Sequence, residues 1–144
     1  SASLQQIYQP DYLRNSQRFA AQTLESGMLI NTGGRFTFKP LPRIAQIAPV
    51  FGTLIADLNG DGRQDLLLAQ NFFGSEPETG HLDGGLGQLL LGQVDGSFRP
   101  ISAQESGIVL PVASTAIVLL KDGTLLAAGN REPVRVFRRL ANSK

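Results

Sequence analysis

The sequence has no cysteine and no tryptophan, and only one methionine and one histidine, His81, among its 144 residues. Without cysteine there is no disulfide, no thiolate nucleophile and no Cys-ligated zinc, and a lone histidine excludes a multi-histidine metal centre within the chain. The missing cysteine leaves the compartment open. Excess charge of one sign is missing too: 13 Lys and Arg against 12 Asp and Glu give a formal net charge of +1. Such a balance offers no overall electrostatic footprint for nucleic acid or an anionic membrane. No apolar run approaches the roughly 20 residues of a membrane-spanning helix. The start, "SASLQQIYQP", has neither a basic region nor an apolar one behind it, so an export signal is expected to have been removed or to lie upstream. Catalytic motifs are missing as well. Ser114 and Thr115 sit in no G-x-S-x-G elbow, and no phosphate-cradling glycine loop opens a helix. No enzymatic chemistry is assigned.

What is present is a chain of one-domain length with 42% hydrophobic residues, enough for a core. Sixteen glycines and eight prolines punctuate short apolar runs such as "GTLIAD", "DLLLAQ", "GQLLLGQ", "TAIVLL" and "TLLAAG". Apolar runs this short between turn signals read as strands, and the turns "NTGGR", "VDGS" and "KDGT" suit tight hairpins. The fold class expected is all-β, built from antiparallel hairpins. One helix is considered near the start, where Asp11 could cap "YLRNSQRFAAQTLE" ahead of Gly27; the alternative is an extended arm over residues 1–27.

The chain also repeats itself. "MLINTGGRFTFKPLP" (28–42) and "LLLGQVDGSFRPIS" (89–102) share an apolar strand, a glycine turn, a strand with Phe36 or Phe98, and a proline. "LIADLNGDGRQDLLLAQN" is matched by "IVLLKDGTLLAAGN" (117–130), where the acidic loop has shrunk to a plain "KDG" turn. This register divides residues 28–144 into the end of one unit (28–42), a full unit (45–102) and most of another (108–139). Each unit is expected to be a small antiparallel sheet, and such sheets stack, usually radially as propeller blades of four strands. Two and a half blades close no ring. The open faces are therefore expected to meet further blades of a longer protein, other copies of the chain, or the apolar residues of the N-terminal arm.

The densest chemistry lies in "ADLNGDGRQD". Counting from Asp57, oxygen-bearing side chains fall at positions 1, 3, 5 and 9: Asp57, Asn59, Asp61 and Asp65. Position 7 is Arg63, whose carbonyl could join them with its side chain pointing away. Alternate spacing aims successive oxygens into one concavity, and three carboxylates with neutral oxygens suit calcium, which takes about 6–8 oxygen ligands. An EF-hand is excluded because position 12 is Leu68 and the flanks are strand-like. The alternative is a solvated Asp/Asn/Gly turn. Calcium is favoured because four ligand types at this spacing, with two glycines, rarely coincide.

With those residues in view, "FGTLIADLNGDGRQDLLLAQN" resembles the FG-GAP or VCBS repeat of integrin-like β-propellers, with Phe51 and Gly52 as the FG element and D-x-N-x-D-G-x-x-D as the calcium loop. More widely, "PLPRIAQIAPVFG", "ESGIVLP" and "REPVRVFRR" are similar to the C-terminal part of bacterial exported repeat proteins related to the cartilage-acidic-protein and ASPIC/UnbV group. The resemblance implies a calcium-stabilised structural or interaction module in an extracytoplasmic setting. A carbohydrate-binding propeller is the alternative, and an accessory part of a polysaccharide-degrading enzyme a further one.

Two other stretches carry candidate groups. The loop "NFFGSEPETGHLDGG" (71–85) holds Glu76, Glu78, His81 and Asp83, which could serve acid/base chemistry or a second metal but read first as a solvated insertion. Should the protein bind a protein or glycan ligand, this loop is the first choice, with Phe72 and Phe73 stacking on a sugar ring unless they pack in the core. The C-terminal Arg131, Arg135, Arg138, Arg139 and Lys144 could touch a phosphate or an acidic partner, and read first as a charged strand edge that discourages pairing.

Overall fold

The computed structural model describes residues 2–139. After helices α1 (Leu4–Ile7) and α2 (Pro10–Arg14), the chain runs through nine strands: β1 (Gly27–Thr32), β2 (Arg35–Pro40), β3 (Val50–Ala56), β4 (Asp65–Gln70), β5 (Gln88–Gly92), β6 (Phe98–Ile101), β7 (Ser114–Leu119), β8 (Leu125–Gly129) and β9 (Arg135–Phe137). A 3-10 turn over Arg43–Gln46 precedes β3, and helix α3 (Ala103–Ser106) precedes β7. All pairings are antiparallel, and they make a hairpin β1-β2, a four-stranded sheet β3-β4-β5-β6 and a three-stranded sheet β7-β8-β9. The fold is mostly β, as the short apolar runs predict. No helix among the described residues is long and apolar enough to cross a membrane.

The four-stranded sheet, the middle one in chain order, packs face to face on the three-stranded sheet, and its other face meets Met28 of the hairpin and the residues that follow β2, the rest of the hairpin being exposed. One core cluster joins Leu66, Leu68 and Leu90 of the middle sheet to Met28 on β1 and to Leu41 and Ala45 beyond β2. A second joins Leu54, Leu67, Ala69 and Leu89 to Ile117, Leu119, Leu125 and Phe137 of the third sheet. Successive side chains of a strand point to opposite faces, so a strand covered on both faces is apolar throughout. Strand β4 is that strand: every residue from Asp65 to Gln70 is buried. Close approach of sheets two and three depends on Gly52, because a Cβ there would lie 2.9 Å from the Thr115 carbonyl oxygen.

The two larger sheets share features of their ladders. The first strand of each of the two larger sheets shifts register at the same place, between Val50 and Gly52 and between Ser114 and Ala116. Each second strand is followed by an asparagine whose N–H reaches back across the sheet, Asn71 to the Pro49 carbonyl and Asn130 to that of Ala113, both at 3.1 Å.

The N-terminal arm departs from a single capped helix. Asp11 lies inside the first turn of α2, behind Gln9 as N-cap and Pro10, and bonds Arg14 at 2.8 Å. From Asn15 to Ser26 the chain is not helical. The apolar residues there make no continuous face, and a helix of that length without packing is marginal in water. Leu4, Tyr8, Tyr12, Phe19 and Leu24 are all exposed, so the arm covers neither outer sheet.

Candidate functional site

The acidic loop links β3 to β4 at one end of the middle sheet. Its geometry comes from carboxylates bonding the loop's own backbone. Asp57 Oδ1 accepts the N–H groups of Gly60 (2.7 Å) and Asp61 (3.1 Å), and its Oδ2 accepts that of Gly62 (2.9 Å). Gly60 and Gly62 sit at φ 85° and 84°, the left-handed region that lets the chain wrap around Asp57. Asn59 Oδ1 accepts from Asp61 N–H, and Asp61 Oδ1 from Arg63 N–H, both at 2.9 Å. The Gly62 and Gly60 N–H groups hold the Asp57 carboxyl below its ordinary value of 3.8.

Asp65 differs from the rest. It is 0% exposed at the start of β4. Its Oδ2 accepts from Leu58 N–H at 2.9 Å and its Oδ1 from Gly92 N–H at 3.0 Å, which ties the loop to the end of β5. Among the described residues no lysine or arginine pairs with it. A buried carboxylate held only by neutral donors is costly unless a cation completes it.

Arg63 turns inward instead of pointing away. Its Nε donates to the Gly92 carbonyl at 2.8 Å and its Nη2 bonds Asp61 Oδ2. Arg139, just past β9, donates to the Asn59 carbonyl at 2.9 Å. Guanidinium groups are drawn to a loop bearing three carboxylates, and its spacing alone could not reveal which arginine would reach it. Among the described residues no three His, Cys, Asp or Glu side chains stand together as a ready ligand cluster. The donor set still fits a hard cation. Asp57 Oδ2, Asn59 Oδ1, Asp61 Oδ1 and the two Asp65 oxygens each accept one hydrogen bond and keep a lone pair, while Asp57 Oδ1 accepts two and Asp61 Oδ2 accepts from both Asn59 Nδ2 (2.8 Å) and Arg63 Nη2; an oxygen-only donor set of this kind suits calcium.

In the third sheet the loop is cut down to Lys121, Asp122 and Gly123. Ala56 stands opposite Asp65 in β3-β4, whereas Leu120 N–H donates to the Thr124 carbonyl, so Thr124 takes the place of Asp65. Asp122 Oδ1 accepts from Thr124 N–H, at 2.9 Å.

The 71–85 loop is a small hairpin of its own, closed by Phe72 and Leu82 exchanging two backbone hydrogen bonds of 2.9 Å. Phe72 packs against Phe51 with ring centroids 5.6 Å apart, and Phe73 stacks on His81 at 4.9 Å. The two phenylalanines thus pair with aromatic neighbours, one face of Phe73 being covered by the imidazole. Glu76, Glu78, His81 and Asp83 are exposed and make no hydrogen bonds to one another. Arg131, Arg135 and Arg138 are exposed too; Lys144 lies outside the described residues.

Sequence reasoning missed Gln70 and Asn71. Both are buried. Asn71 exchanges two hydrogen bonds with the Gly85 backbone (2.7 and 2.8 Å) and anchors the base of the 71–85 loop. Gln70 Nε2 donates to the carbonyls of Ala45 (3.3 Å) and Ala48 (3.4 Å). The only signal was a pair of amides directly after an apolar strand.

Compared with known proteins, the chain matches no family model, no curated protein and no solved structure.

Proposed function

We propose that the chain is a calcium-stabilised β-propeller segment of the FG-GAP/VCBS kind, a structural and interaction module of an exported protein. We assign it no catalysis. The single observation that carries the calcium reading is Asp65: a fully buried carboxylate, with no cationic side chain beside it, at the base of a loop bearing Asp57, Asn59 and Asp61. These four side chains and the Arg63 carbonyl are the proposed ligands. A bound calcium ion would supply the positive charge that Asp65 lacks and add to that of Arg63 on Asp61. The chain's own part is to hold them: Gly60 and Gly62 fix Asp57, Leu58 and Gly92 fix Asp65, and Arg63 ties the loop to β5. The propeller reading draws support from the face-to-face packing of the two larger sheets and their matching register shifts. An extracytoplasmic setting, implied by the resemblance, would fill even a site of roughly 10⁻⁴–10⁻³ M affinity.

Thermal unfolding in calcium and in chelator tests the reading. A ligand at about 100 times its Kd stabilises the native state by about 2.7 kcal/mol, which for a chain of this size raises Tm by roughly 5–10 °C. Identical melting curves would reduce the loop to a turn.

A further inference from the structure

The molecule shows how one of its own sheet faces is covered, and it carries the same face a second time with nothing on it among the described residues. In the middle sheet Leu54 stands opposite Leu67, and Leu67 opposite Leu89. This row, with Ala69, packs against the third sheet. Counted from the shared register shift, the corresponding positions of the third sheet are Val118, opposite Leu126, and Leu126, opposite Val136, with Ala128 in the place of Ala69. That second row points away from the second core cluster, which takes Ile117, Leu119, Leu125 and Phe137 from the alternate positions. Val118 is 50% and Val136 55% exposed.

At the other end of the stack the hairpin has the opposite kind of free face. Met28 packs inward on the middle sheet, so its neighbour Leu29 points outward, opposite Phe38, with Phe36 two residues further along. Leu29 is 66% and Phe36 61% exposed. The arm covers neither face, since its own apolar residues are exposed. Adjacent apolar rows of this kind mark an interaction surface.

We propose that the Val118, Leu126 and Val136 row of one copy docks against the Leu29, Phe36 and Phe38 face of a second copy, head to tail. The proposal rests on the repeat reading and not on calcium. A second copy is favoured by continuity: the middle sheet already lays one face on Met28 of the hairpin and the other on the third sheet, and the outer row of the third sheet and the outer face of the hairpin are one of each kind. The rows themselves carry no charge. Arg135 alternates with Val136 and lies on the other side of β9. Because the two patches differ, the contact is heterologous, and it propagates into a ring if its rotation closes and a filament if it does not.

Sedimentation of the intact chain, in calcium and again in chelator, tests this, with circular dichroism checking that each variant is folded. The intact chain should self-associate as concentration rises. Leu29→Lys and Val136→Lys, each at an exposed position, should each leave a preparation of that variant alone monomeric, weakening the contact at least about tenfold, because every copy then lacks one of the two faces that each contact needs. Mixing the two single variants should still form pairs, through the one intact row and one intact hairpin face that remain. A chain that stays monomeric while binding calcium would overturn the interface and leave the calcium reading standing. Association untouched by both substitutions, or abolished by only one of them, would overturn it as well.

Discussion

Asp65 and Gly92 are joined across the middle sheet, the Gly92 N–H donating to Asp65 Oδ1 at 3.0 Å while Leu58 N–H holds the other carboxylate oxygen. Two backbone donors from separate segments converge on one buried side chain. Asp65→Asn would turn an NH₂ group toward one of them. Leaving a buried donor unsatisfied costs about 1–3 kcal/mol, and urea unfolding in chelator should show that loss with no metal involved. Unchanged stability would mean that Asp65 does not hold the loop.

Asn71 makes a parallel case at the other end of β4. It is buried at φ 82°, and both ends of its amide bond the Gly85 backbone. Asn71→Ala should cost at least about 2 kcal/mol through the orphaned Gly85 groups and the strained backbone. Asn71→Gly relieves the strain alone and should recover part of the loss. Equal stability of the two variants would show that backbone strain plays no part.

Leu67 reports on the contact between the middle and third sheets. It is fully buried among Ala69, Ile117 and Leu125. Leu67→Ala should destabilise the fold by about 2–5 kcal/mol, the usual cost of a large core truncation. A loss well below 1 kcal/mol would indicate that these sheets are not packed together in solution.

Acid should weaken the fold in a defined direction. Asp57, Asp95 and Asp122 are all held below the ordinary 3.8, by the Gly62 and Gly60 N–H groups, by the Ser97 hydroxyl and N–H, and by the Thr124 N–H respectively. A carboxyl whose folded value is depressed contributes stability that is complete above its unfolded value and is lost as pH falls through the folded one. Urea midpoints should therefore hold steady from about pH 7 to about pH 5 and decline below about pH 4. Midpoints that rise below pH 4 would contradict these assignments.

How much of this the sequence reveals depends on how local the cause is. Strands such as "DLLLAQ" and "QLLLG" are legible because short apolar runs between glycine turns have few other ways to be buried. The acidic loop is legible because its oxygens alternate within nine residues, Asp57 to Asp65. The roles of Asn71 and Arg63 are not, since their partners lie 14 and 29 residues away and depend on the path of the chain between. Between a helix and an extended arm the N-terminal sequence does not decide, for a related reason: Asp11 and the residues after it are compatible with a helix, but only tertiary packing stabilises one of that length, and the arm's large apolar residues are exposed.

Calorimetric titration of the native chain with calcium is the most direct test of the central claim. The account predicts one ion bound per chain, with the heat abolished by Asp57→Asn combined with Asp61→Asn and unaffected by Asp122→Asn in the shortened turn. No calcium uptake by the folded chain, or uptake that survives loss of Asp57 and Asp61, would contradict it.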